Sequence, residues 1–232
     1  MSQLPESLEQ AVSQSVTATQ AAIAAGQSRV QVELVIPELK PMGIAQQFLA
    51  EYPELGTPLK VFFPDAGAAA LARRDWEGVP YILKGIKELL EPVQPEDAAF
   101  VLVAPSAVEV NEAETIANQS GDRPYILLNP QLQDVSGVGI GYAGRQLRER
   151  FLSTLETSYY LCPLAGGLLF RSFPQPWEIY QETETDAYQL LESRESKPSG
   201  EEIEEIFGKV GDPQGQMGML QSLTRFLKSL SR

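Results

Sequence analysis

Apolar and polar positions set two rhythms along the chain. Val30, Val32, Leu34 and Ile36 alternate with Gln31, Glu33 and Val35, a period of two that predicts a strand. Four further short apolar runs, Lys60–Pro64, Ala99–Pro105, Tyr125–Pro130 and Tyr159–Pro163, end at a proline, as the first does at Pro37. Proline has no N–H for a sheet ladder, so each run reads as a strand leaving its sheet there. The first four runs are separated by segments long enough for a helix. That alternation points to a parallel sheet covered by helices, with any ligand outside the carboxyl ends of the strands.

The intervening segments carry the helical period. Leu8, Val12, Val16, Thr19 and Ile23 share a face between Glu6 and Gln27, with Gly26 as a stop. A short helix is expected over 43–52, and Asp65 is placed to cap a helix carrying Leu71 and Trp76. Ile82, Leu83, Ile86, Leu89 and Leu90 predict another helix over 78–92. Ser106 with Glu109 fits a capping box for a helix that Gly121 ends. A glycine-rich stretch over 131–143 leads into a helix over 144–155. The β-like segments 158–161, 167–173 and 177–181 lie too close together for crossovers, so they pair antiparallel. A helical stretch is expected after Asp186, then a polar segment in which Ser199 and Glu202 cap a short helix. The end of the chain, with Met219, Leu220, Leu223, Phe226, Leu227 and Leu230, reads as an amphipathic helix.

The fold class is therefore α/β: a mostly parallel, Rossmann-like three-layer sheet with an antiparallel edge formed by the last strands. Residues 1–190 make one domain, 191–218 a flexible polar segment with a short helix, and 219–232 the terminal helix. Composition narrows the chemistry. Across 232 residues the formal charge is −13, which argues against a nucleic-acid footprint and against broad adsorption to anionic lipid. No run approaches a spanning helix, and the N-terminal MSQLPESLEQ lacks the pattern of a signal peptide, so a cytoplasmic protein is expected. There is no histidine, which removes the commonest general base and most catalytic zinc sites. The single Cys162 reads as a small buried residue rather than a nucleophile, and no metal or cofactor is expected.

Two groups of residues carry candidate ligand chemistry. Asp65, Ser106, Asn129 and Gln131 follow the ends of four expected strands and can converge on one crevice, although helix caps at Asp65 and Ser106 and a turn at Asn129 before proline are the simpler reading. Gly139, Gly141 and Gly144 make a GxGxxG pattern ahead of Arg145 and Arg148, a weak match to phosphate binding that comes late in the chain. Partner contact has its own candidates: Arg171 with Trp177, in a run whose aromatic residues more often make core, and Leu223, Phe226 and Leu227 on the terminal helix, whose apolar stripe otherwise docks on its own domain.

The segments FPDAGAAALARRDW, YILLNPQL, GRQLRERFLSTLETSYYLCPL and LLFRSFPQPWEIY, spanning roughly 60–182, resemble a cyanobacterial and plastid domain family of unknown function. That family includes the chloroplast low-photosystem-II-accumulation assembly proteins and an extension on a plastid adenylate kinase. The resemblance implies a cyanobacterial origin and a non-catalytic soluble factor. Such a factor engages a photosystem assembly intermediate, with at most peripheral contact at the cytoplasmic face of the thylakoid. It transfers no catalytic residue. The alternative expectation is a nucleotide- or sugar-phosphate-binding domain or minor enzyme using the strand-end crevice.

Overall fold

The computed structural model describes residues 3–88, 92–132, 142–183 and 187–210, and its helices begin on side chains suited to the task. Ser7 accepts a hydrogen bond from Gln10 N to open α1 (Leu8–Ala24), which buries Val12, Val16 and Thr19. Strand β1 (Arg29–Leu34) follows, then α2 (Pro41–Ala50), started by a proline that needs no N–H there. After β2 (Leu59–Phe63), Asp65 accepts from Ala68 N to open α3 (Ala66–Asp75). Strands β3 (Tyr81–Gly85) and β4 (Ala99–Val103) come next. Ser106 and Glu109 then form the expected capping box ahead of α4 (Val110–Ser120), which Gly121 ends at φ +62°. The chain continues through β5 (Tyr125–Leu128), α5 (Tyr142–Arg150), β6 (Glu156–Leu164), β7 (Gly167–Ser172), β8 (Trp177–Glu182), β9 (Tyr188–Arg194) and α6 (Gly200–Val210).

All nine strands join one sheet in the order β3-β2-β4-β5-β1-β6-β7-β8-β9. The six strands from β3 to β6 are parallel, and β6 to β9 form an antiparallel meander. Each face of the sheet has its own core. Val30, Val32 and Leu34 of β1, with Val61 of β2, Val101 of β4, Ile126 of β5 and Leu161 of β6, pack under α1, α2 and α3. On the other face Phe100, Leu102, Tyr125 and Leu127 pack under α4 and α5, around Ile116, Leu147 and Phe151. A third cluster, Tyr160, Leu169, Trp177 and Ile179, packs under α6 through Ile206. Full burial of each such side chain contributes roughly 1.5–3 kcal/mol, so these three clusters on the two faces of one continuous sheet account for most of the driving force.

Three local expectations are corrected. The segment read as a helix over 78–92 instead contains β3, paired with β2 from Leu59↔Tyr81 to Phe63↔Gly85. The open edge of β2 supplies a full ladder to those five residues, and Arg73 of α3 secures the new strand by donating to the Leu83 carbonyl from Nε (3.0 Å) and Nη2 (2.8 Å). The stretch after Asp186, also read as helical, contains β9, which pairs with β8. The run ending at Pro163 does not leave the sheet there, because β6 continues to Leu164 with Pro163 opposite Leu168. Leu161 turns its carbonyl to β1, accepting from Val35 N at 2.8 Å. Two residues on, Pro163 faces the same side, where β1 has already ended, so its missing N–H costs no ladder bond.

Candidate functional site

Strand β1 hands the chain to α2 on one face of the sheet, whereas its neighbour β5 hands it to α5 on the other. Adjacent strands whose connections diverge in this way leave a crevice at their carboxyl ends. A cavity of about 1060 Å³ lies there. Its lining comes from the end of β1 and the loop to α2, from the turns after β4 and β5, and from Leu152, Tyr160 and Lys197.

The floor of this groove explains a peculiarity of β1. Strands β2, β4 and β5 are buried at every position, as parallel strands covered on both faces are. Strand β1, though central, is buried only at alternate residues. Of its other residues, Gln31 and Glu33 face the side where the α4/α5 core stops short of the α6 core, and they line the groove. Gln31 donates from Nε2 to Glu33 Oε1 (3.1 Å) and to Thr157 Oγ1 (2.9 Å), which holds both amide and carboxylate against the sheet. Partial burial removes water from Glu33 and raises its carboxyl above the ordinary range, a shift that the charge of Lys197 opposes. Lys197 itself sits over two rings, with Nζ 3.9 Å from the Tyr160 centroid and 5.4 Å from that of Trp177. Among the described residues neither Glu33 nor Lys197 forms an ion pair.

The rim is fixed by backbone geometry. Asn129 takes a left-handed conformation (φ +48°), its N–H donates to the Val32 carbonyl and its Oδ1 accepts from Leu34 N, both at 2.7 Å. The side chain thus straps the tip of β5 to β1. Asparagine is suited to this because it tolerates a positive φ. Asn129→Ala loses the strap and forces alanine into the left-handed region. Water in the groove reaches the freed Leu34 N–H, so the expected loss is about 1 kcal/mol, read by denaturant titration, with Asn129→Asp close to wild type. Ser106 N donates to Glu109 Oε2 at 3.0 Å, and Ser106 Oγ donates to the same oxygen at 2.6 Å while accepting from Val108 N at 3.2 Å. Ser106 is committed to its cap. Two of the four large apolar side chains exposed on the described surface, Val35 (45%) and Val108 (70%), stand at the mouth.

The family model for a domain of unknown function, DUF1995, matches residues 5–205. The chain belongs to this family. No solved structure matches it. In this DUF1995 domain the groove brings together Ser106, Asn129 and Gln131, three of the four strand-end residues singled out in the sequence. Asp65 caps α3 and does not line the groove. Gly139 and Gly141 lie outside the described residues. Gly144 falls in α5 with Arg145 and Arg148, which are exposed and are not part of the lining.

Arg171 forms an ion pair with Glu156 and lies 5.3 Å above the Trp177 ring, while Trp177 itself is buried. Leu223, Phe226 and Leu227 lie outside the described residues. Cys162 is half-buried, and burial pushes its thiol up from the ordinary range, which makes it a poor nucleophile. Among the described residues no group of three or more metal-ligating side chains converges, and no helix is long and apolar enough to cross a membrane.

Residues that sequence reasoning passed over are Gln31, Glu33, Val35, Val108, Tyr160 and Lys197. The signal for the first three was visible. A central parallel strand should be apolar on both faces, so an alternating one marks a face left uncovered.

Proposed function

We propose that this chain is a non-catalytic assembly factor that holds a segment of another protein in the groove between β1 and β5. The observation that carries the reading is the mouth of the groove, where Val35 and Val108 are exposed beside β1, a central strand that is buried only at alternate residues. Exposed apolar side chains around a polar-floored crevice suit a peptide, which brings side chains for the mouth and backbone groups for the amides within. The resemblance of the segments over 60–182 to low-photosystem-II-accumulation proteins suggests the partner. On this reading it is a photosystem, and specifically photosystem II, assembly intermediate met at the cytoplasmic face of the thylakoid. The non-catalytic part of the reading is supported by the absence of histidine from the sequence and by the raised thiol of Cys162.

A nucleotide- or sugar-phosphate-binding role draws less support from this site. Arg145 and Arg148 stand outside the lining, and a carboxylate on the floor opposes a phosphate. Affinity capture from detergent-solubilised cyanobacterial thylakoids tests the proposal. The wild-type chain is expected to retain photosystem II assembly-intermediate subunits, and Val108→Glu to reduce their yield about tenfold or more, because it puts a charge into the apolar contact. Recovery of soluble metabolic proteins alone, or equal recovery by the variant, contradicts it.

A further inference from the structure

We propose that Glu33 selects the charge of the bound segment, and that the segment the groove takes carries one lysine or arginine side chain flanked by apolar residues. The inference rests on the protein-binding reading above and names the chemistry of the partner at that same groove.

Among the described residues lining the groove Glu33 is the only acidic one, and it lies on the floor rather than on the rim. One of its oxygens accepts from Gln31 Nε2. No described cation forms an ion pair with it; the charge of Lys197, held over the Tyr160 ring, acts on it from beyond ion-pair distance, so a carboxylate that folding has partly stripped of water is left without a direct partner. An incoming ammonium or guanidinium forms a charge-assisted hydrogen bond there, in surroundings drier than an open surface, where such bonds are stronger. The apolar neighbours of that side chain meet Val35 and Val108 at the mouth.

Lys197 sets a limit. Its ammonium, seated over Tyr160 and Trp177, also lines the groove and repels a second positive group, so the groove reads one basic residue rather than a basic run. Net charge acts in the same direction at long range. At −13 the chain draws cationic segments toward it and slows acidic ones.

Selection of random peptides displayed on phage against the immobilised full-length chain separates the claims. On the wild type the enriched sequences are expected to hold one Lys or Arg between apolar residues. Glu33→Gln keeps the size and the hydrogen bonding of the floor. It is expected to enrich the apolar positions without the basic one, and to weaken a wild-type-selected peptide roughly tenfold in titration calorimetry. Val108→Glu, which disables the mouth, is expected to enrich neither. Neutral or acidic motifs on the wild type, or the same basic motif on Glu33→Gln, overturn the charge assignment while leaving the groove as a protein site. No enrichment on the wild type overturns both.

Discussion

Replacing Asp97 with alanine is expected to lower stability by about 3–5 kcal/mol, seen as a fall in Tm of roughly 6–20 °C. Lys60, the second residue of β2, points into the structure, and its ammonium meets Asp97 Oδ2 at 2.7 Å, with the two side chains only 7% and 1% exposed. The ammonium also donates to the Pro92 carbonyl at 3.1 Å, and Asp97 Oδ2 accepts from Gln94 N at 2.6 Å. The pair therefore ties the connection before β4 to β2, the strand beside it in the sheet. Arg123 reinforces that connection through the carbonyls of Gln94 (2.8 Å) and Asp97 (3.2 Å).

Removing the carboxylate leaves a positive charge buried without a partner, and that uncompensated charge is the source of the large loss. The pair itself contributes far less than its removal costs, since both ions gave up water to form it. Lys60→Met with Asp97→Leu is accordingly expected to recover most of the loss. Thermal and denaturant unfolding of the two single variants and the double variant measure the coupling. Additive losses contradict the account.

The second large effect is expected at Gly167, where β7 begins. A Cβ there runs into the backbone carbonyl oxygen of Tyr180 on β8 and comes within 2.6 Å of Phe207 Cζ on α6. The ring can give way, but the carbonyl belongs to the β7–β8 ladder and cannot move alone. Gly167→Ala is expected to cost about 3 kcal/mol, the upper part of the range for overpacking, and to loosen α6 before the rest of the sheet. Amide exchange should show protection lost first over 200–210 and in β8. Trimming the ring with Phe207→Ala relieves only half of the clash. The double variant is therefore expected to remain less stable than Phe207→Ala alone.

The groove depends on the same elements that were easiest and hardest to read in the sequence. Strands β4 and β5 are unbroken apolar runs and β2 is one but for Lys60, and burial on both faces produces that pattern, so these parallel strands were legible. Strand β3 was not. Tyr81–Gly85 sits at the edge with Ile82 exposed, and its sequence merges with Ile86, Leu89 and Leu90 into helical spacing. The ladder offered by β2 decided its conformation, a contact distant in sequence that local periodicity does not encode.

Tyr188–Arg194 has Gln, Leu and Glu, all good helix formers, yet the edge of β8 makes it a strand with a register shift between Ile179 and Tyr180. Strand-end logic pointed to Ser106, Asn129 and Gln131, because the tips of parallel strands share a rim. It gave no hint of Tyr160 or Lys197, which reach the groove from the meander and from the turn ahead of α6. Their arrival depends on how far α5 and α6 leave β1 uncovered, and that is set by packing.

Site-specific photocrosslinking tests most directly whether this groove is the working surface. A photoreactive amino acid is placed at Val108 at the mouth or at Ile82 on the β3 edge, another exposed large apolar residue, far from the groove in strand order. After irradiation in thylakoid extract, position 108 is expected to yield adducts with the captured partner and position 82 none. Adducts at 82 with none at 108 would place the partner on the sheet edge and contradict the account.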